Sequence, residues 1–294
     1  MNAPAEAGFD VAIVGGGLVG ASLAVRLAGT ALRVALIEAA TPPASAPNWD
    51  ERCIALNDAS HRILSSLGVW PALAADAEAI TATHISEKGR FGSTRFTADE
   101  AGLAALGYNV PLRAIGAALS QAMANAPDLT VLQPARVTAI SESADDVALT
   151  VVDGAGERRL RARLVVAADG AQSSIRELLG LIAQTRDYHQ HAIVSAVRLS
   201  RPHHGVAYER FTPDGPMALI PKPDDAASLV WTVPSERVDD MLAWSDDDYL
   251  AAAQATFGGR LGRFTALGAR RGWPLARVMS DTLVAGRTVF IGNA

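Results

Sequence analysis

The sequence predicts an α/β fold in which a parallel βαβ domain is interleaved along the chain with a mainly antiparallel β-sheet domain. Three observations predict it. An apolar run at 9–14 (FDVAIV) breaks at a glycine turn and resumes as a small-residue helix and a second apolar run, all within one βαβ length. A second apolar run, 164–168 (LVVAA), opens directly into Asp169-Gly170. From 190 to 235, short apolar runs alternate with Pro and Gly, the pattern of an antiparallel sheet.

Taken in order, residues 9–14 read as a buried strand, 21–27 as a helix, and 33–38 (RVALIE) as a second strand ending in an acid. Residues 41–47 are a Pro/Ala/Ser loop. Leu56, Ala59, Ile63 and Leu67 fall on one helical face, which Gly68 stops. Residues 81–110 read as irregular or extended. Ile115, Leu119, Ala122 and Met123 form another helical stripe, followed by a strand near 129–132. Runs 147–152 and 160–168 flank Asp153-Gly154-Ala155-Gly156, a hairpin signature. Residues 239–257 read as a helix and 288–291 as a last buried strand.

With 294 residues, 49% apolar and 19% charged, the chain can bury a sizeable core and is not compositionally disordered. A net charge of -5 offers no general attraction to nucleic acid. Cys53 is the single cysteine, which precludes an internal disulfide and suits a reducing compartment. The first ten residues lack the basic-then-apolar pattern of a signal peptide, so a cytoplasmic location is expected.

Gly15, Gly17 and Gly20 spell G-x-G-x-x-G, with Gly16 inside the turn. The first glycine permits the sharp turn off the strand, the second lets the backbone approach a pyrophosphate, and the third lets helix and strand pack closely. The helix N-terminus then holds phosphate on its unpaired N–H groups. Glu38, ending the second strand, is placed to accept hydrogen bonds from ribose hydroxyls. A tight turn in an ordinary α/β sheet would explain the glycines but not the acid. The motif does not separate FAD from NAD; the carboxylate disfavours a 2′-phosphate, hence NADP. Downstream, Asp169-Gly170-Ala171-Gln172-Ser173-Ser174-Ile175-Arg176 reads D-G-x-x-S-x-x-R and puts a carboxylate and free amides at a strand's carboxyl end. Its bland reading is a capped helix, with Asp169 or Ser173 as the cap.

These two motifs, with a last strand ending in Gly292-Asn293, resemble the three fingerprints of the class A flavoprotein aromatic hydroxylases, which share the p-hydroxybenzoate-hydroxylase-like fold. Asp50 to Leu56 (DERCIAL) and residues 80–92 (ITATHISEKGRFG) are similar to segments of its ubiquinone-biosynthesis hydroxylases, the latter to that of 2-octaprenyl-6-methoxyphenol hydroxylases. The resemblance covers essentially the whole chain. It implies a Rossmann-like FAD-binding domain of residues 1–80, 113–183 and 276–294, and a substrate-binding sheet domain of 81–112 and 184–275. It further implies that Gly15, Gly16, Gly17, Gly20 and Glu38 hold the ADP half of FAD. Arg52 would reach the phosphates, Arg113 the pyrophosphate or ribityl chain, Asp169 and Gly170 the FAD near a passing NAD(P)H, and Gly292 and Asn293 the ribityl chain. Asn293 stands where most of the superfamily has Asp. The family also continues beyond the last residue here with a loop against the isoalloxazine ring, so the chain is expected to be a fragment that holds FAD weakly and does not hydroxylate.

The implied activity is hydroxylation of a prenylated phenol in ubiquinone biosynthesis with NAD(P)H and O2, through a flavin hydroperoxide. Membership of a ubiquinone-synthesis complex and association with a membrane surface go with it. The alternatives are a non-catalytic FAD-binding accessory subunit, or another flavin oxidoreductase of the same fold. No acid, base or nucleophile is assigned, because the cofactor carries the chemistry. His189/His191 and His203/His204 lack cysteine partners and helical spacing, so no metal is expected. Trp231, Trp244, Trp273, Phe211 and Phe257 read either as a greasy substrate channel or, one by one, as core.

Overall fold

The protein is described by a computed structural model covering residues 7–41 and 52–294. Most of the loop expected at 41–47, with Asp50 and Glu51, lies outside the described residues.

β1 (Ala7–Val14), α1 (Leu18–Leu27) and β2 (Val34–Ile37) form the βαβ unit. All four residues of β2 are buried, as expected for a parallel strand covered on both faces. β1 runs parallel to β2 on one side and to strand Gly156–Ala167 on the other. Strands Leu129–Leu132 and Thr288–Phe290 extend the parallel sheet at its two sides. Strand Gly156–Ala167 also closes the expected hairpin against Val147–Asp153, and Ala135–Glu142 adds a third antiparallel strand. Val14, Ile37, Leu149, Val165, Ile175 and Phe290 belong to the core beneath.

The chain divides into two compact units, one of Met1–Ala44, Gly116–Arg186 and Arg277–Ala294, the other of Ser45–Ile115 and Asp187–Ala276. The second holds a long sheet in the order Phe264–Leu267, Ala183–Leu199, Ala226–Pro234, Met217–Lys222, Val206–Phe211, Ala82–Glu87, Ser93–Thr97. Every neighbouring pair is antiparallel except Val206–Phe211 with Ala82–Glu87. Helices Val238–Ala243 and Asp246–Phe257 cover one face, with Trp231, Met241, Tyr249 and Phe257 in the core between.

Three expectations are corrected. Residues 52–80, assigned to the nucleotide domain, join the second unit, because Cys53–Asn57 and Glu78–Ile80 both pair with Gly107–Pro111. Leu56 lies on a strand rather than a helical face: Asn57 accepts from the Ser60 N–H at 2.9 Å and starts the helix at Asp58, which leaves Leu64 buried and Ile63 exposed. The helix expected over 239–257 is broken at Trp244-Ser245, where Ser245 caps the second segment by accepting from the Asp248 N–H at 3.1 Å.

Candidate functional site

The glycine turn follows the carboxyl end of β1. Gly15 sits at φ 105°, closed to most side chains, and a Cβ there would overlap the Ala168 carbonyl at the end of the neighbouring strand. A Cβ on Gly20 would overlap the Gly15 carbonyl oxygen, and one on Gly16 would come to 2.9 Å from Glu38 Cβ. Gly17 differs from all three. It has an ordinary φ of -65° and nothing within 4 Å of its Cβ position, so the protein's own packing does not require a glycine there. Gly17 is also the N-cap of α1, which has no side-chain cap and no acidic residue in its first turn. The helix thus begins with unpaired N–H groups and open space, which is what an anionic ligand needs.

Glu38 follows the carboxyl end of β2. Its Oε2 accepts the Gly16 N–H and its Oε1 the Ala40 N–H, both at 2.5 Å. The carboxylate is therefore braced against the glycine turn, and each oxygen keeps a lone pair for a further donor.

Asp169 follows the carboxyl end of strand Gly156–Ala167. It accepts from Ser173 Oγ at 2.6 Å, Ser174 Oγ at 3.0 Å and the Ile175 N–H at 3.2 Å. Ser173 in turn accepts the Arg176 N–H at 3.1 Å, and buried Arg176 donates to the Ala171 carbonyl at 2.6 Å. The side chains of this octapeptide cap the helix Ser174–Leu178, the blander of the two readings. The open group is Gly170, at φ 85° with nothing within 4 Å of its Cβ position. Beyond the last strand, the Ile291 N–H bonds to the Ala167 carbonyl at 2.9 Å, and Gly292 (φ 70°) would place a Cβ 3.3 Å from Val19 in the first turn of α1. Asn293 beside it is exposed.

Gly15 to Gly17, Glu38, Asp169-Gly170 and Gly292-Asn293 thus all follow the carboxyl ends of four adjacent parallel strands. The strand order reverses direction between β1 and Gly156–Ala167, the switch point at which open α/β sheets bind ligands. The open Gly17, uncapped α1 and braced Glu38 fit the ADP half of a dinucleotide.

Arg52 and Arg113 belong to the other unit. Its ladder brings them to one end: Cys53 pairs with Pro111, and the Leu112 N–H donates to the Arg52 carbonyl at 3.0 Å. Spacing in sequence could not have shown this. The Arg52 guanidinium lies 4.8 Å above the Trp273 ring, and half-buried Arg113 is in the first turn of helix Leu112–Ala124. Of the five aromatics, Trp231, Phe257 and Trp244 pack in or against the core, while Phe211 and Trp273 are exposed. Both ring nitrogens of buried His203 are occupied, by the Lys222 carbonyl at 2.8 Å and the Gly205 N–H at 3.1 Å. The two residues that sequence reasoning missed are Ala40, whose amide braces Glu38, and Ser174, the second hydroxyl on Asp169. Short backbone-to-side-chain bonds of this kind leave no periodic trace.

Residues 8–294 match the family described as FAD binding domain. A ubiquinone hydroxylase, UbiL, of Rhodospirillum rubrum is 36% identical over 97% of this chain and 66% of its own length. The 3-demethoxyubiquinol 3-hydroxylase of Escherichia coli is 32% identical over 97% of this chain and 72% of its own. The chain thus spans about two thirds of the length of these relatives. Among solved structures, PqsL of Pseudomonas aeruginosa, described as a probable FAD-dependent monooxygenase, superposes with a TM-score of 0.78 at 21% identity, over 97% of this chain and 78% of that one. The p-nitrophenol 4-monooxygenase PnpA of Pseudomonas putida does so at 0.76 and 17%, over 98% and 73%. Both likenesses show the fold. The parallel switch-point cradle and these matches agree: the chain belongs to the FAD-binding-domain family, its cofactor is FAD, and its sequence relatives there are ubiquinone-biosynthesis hydroxylases.

Proposed function

We propose that this chain is the FAD-binding part of a monooxygenase that hydroxylates the ring of a prenylated phenol in ubiquinone biosynthesis, using NAD(P)H and O2. The observation that carries the reading is the emptied Gly17 position at the uncapped start of α1, on a chain 36% identical to a ubiquinone hydroxylase along nearly its whole length.

In this reading the backbone of Gly15, Gly16 and Gly17 and the first turn of α1 hold the pyrophosphate, with Gly20 keeping helix and turn in contact. Glu38, braced by Gly16 and Ala40, accepts the ribose hydroxyls. Gly170 lends an open backbone position, while Asp169 keeps the turn in shape through its three internal bonds. Gly292 and Asn293 reach the ribityl chain. Bound there, FAD supplies the reduction of O2 at the expense of NAD(P)H and the delivery of one oxygen atom to an electron-rich ring. The protein's share is binding, orientation and exclusion of water. The substrate's long apolar tail also calls for work at a membrane surface, within reach of the other ubiquinone-synthesis enzymes; among the described residues, no helix is long and apolar enough to cross a bilayer.

The test is aerobic NAD(P)H oxidation by the flavin-loaded protein with and without a short-chain prenylphenol, with the aromatic product followed by mass spectrometry. Stimulated oxidation with a ring gaining one oxygen is expected. Oxidation indifferent to the phenol, with peroxide as the only product, would point to another flavin oxidoreductase.

A further inference from the structure

Strands Ala82–Glu87 and Ser93–Thr97 form a hairpin whose last register pair is Ser86 with Ser93. Its turn reads Lys88-Gly89-Arg90-Phe91-Gly92, and both glycines are left-handed, at φ 78° and 102°. Only glycine adopts these angles freely, so the tip is shaped by the backbone rather than by packing. Phe91, between them, is fully exposed. Phe96 on the outgoing strand is 53% exposed and Phe211 on the adjoining strand 49%. Phe211 pairs in register with Glu87, and its carbonyl accepts the Lys88 N–H at 2.9 Å, so Phe211 and Phe91 share the turn end of the sheet, while Phe96, paired with Thr83, lies farther along the outgoing strand. The root is held firmly: Arg210 donates to Thr256 O at 2.9 Å and to Ser86 Oγ at 3.4 Å.

Cations surround this apolar tip. Glu87 is ion-paired with Arg90 at 2.8 Å, and Asp214, which shares a cavity of about 370 Å³ with Lys88, is paired with Arg237 at 2.9 Å. Among the described residues Lys88 and Arg95 have no ion pair. Farther down the ladder, His84, which pairs with Arg95, is held below its ordinary pKa by burial first and then by Arg260, Arg95 and Arg210.

We propose that this hairpin tip is a finger that docks the protein on an anionic lipid surface. Aromatic rings favour the headgroup boundary, and lysine and arginine lay their stems along apolar material while their charges meet phosphate. An apolar protein surface closing over the tip would instead strip water from Lys88, Arg90 and Arg95 without offering charge in return. The inference rests on the membrane-surface reading above and not on the catalytic one.

The experiment is co-sedimentation of the whole chain with phosphatidylcholine vesicles, with and without phosphatidylglycerol. Binding only to the phosphatidylglycerol vesicles, weakening as salt is added, is expected. Phe91→Ser is expected to weaken it by about tenfold and Lys88→Ala by roughly fivefold, while Phe91→Trp retains it and unfolding temperatures stay unchanged. Full binding by Phe91→Ser would overturn the finger and leave membrane association standing. No binding by the parent chain would overturn both and leave catalysis untouched. Vesicle-independent dimerisation that Phe91→Ser abolishes would make the tip a protein interface and also overturn the proposal.

Discussion

Two turns in the nucleotide-binding unit share one grammar, a buried parallel strand running into glycine and then a helix, yet they are finished in opposite ways. At Gly15 to Gly20 the side chains have been removed. The start of α1 has no side-chain cap, and the position at Gly17 opens onto nothing within 4 Å. At Asp169 to Arg176 the side chains have been supplied. Asp169 takes three donors and Ser173 a fourth, so the short helix there is satisfied from within. A helix N-terminus exposes about four N–H groups that something must accept. One turn leaves them for a ligand, and the other meets them itself. The two motifs look equally functional as sequence, but only the first reserves its backbone donors; the second shapes a loop whose open residue is Gly170.

Four substitutions break or sharpen this contrast. The largest effect is expected from Gly17→Val. The Cβ of a valine there has no protein atom within 4 Å, so the apo-protein's unfolding temperature is expected to stay nearly unchanged while FAD affinity falls about a hundredfold or more, roughly 3 kcal/mol. Titration of the 450 nm flavin band checks it, and a variant that purifies as yellow as the parent ends the cradle assignment. Gly20→Ala reverses the pattern. Its Cβ overlaps the Gly15 carbonyl, a backbone atom that cannot step aside, so the apo-protein itself should lose up to about 3 kcal/mol. Thermal unfolding without added flavin measures this.

Asp169→Ala leaves two hydroxyls and an N–H without their acceptor. It is expected to cost about 2 kcal/mol of stability, with a proportionately smaller change in FAD affinity. If flavin affinity drops while the melting temperature holds, Asp169 touches the cofactor directly and the contrast between the turns weakens. Ser173→Ala should do least, removing one cap at about 1 kcal/mol, seen in chemical denaturation as a lower midpoint at unchanged slope.

Much of this was legible beforehand. The βαβ unit, the hairpin at Asp153 to Gly156 and the strand at 129–132 follow from apolar runs and turn residues, which act over a few neighbouring positions. The failures were of two kinds. At Asn57 and at Ser245 a single polar cap moved or split a helix, and a cap is one hydrogen bond that periodicity does not register. The domain boundary failed because Cys53–Asn57 finds its partner at Gly107–Pro111, a pairing between distant segments that neither segment announces.

The sequence by itself pointed to a dinucleotide and to a candidate turn for it, because glycine spacing and a carboxylate at the next strand end are local requirements of close phosphate approach. It also carried the resemblance that named the cofactor. Tertiary structure alone decided which glycines the fold demands and which it leaves to a ligand, and that Asp169 is spent on its own helix. It also set Arg52 beside the Leu112 amide and drew Phe211 to the turn that carries Phe91. Each of these depends on the distance between atoms far apart in the chain, and that distance exists only once the strands have paired.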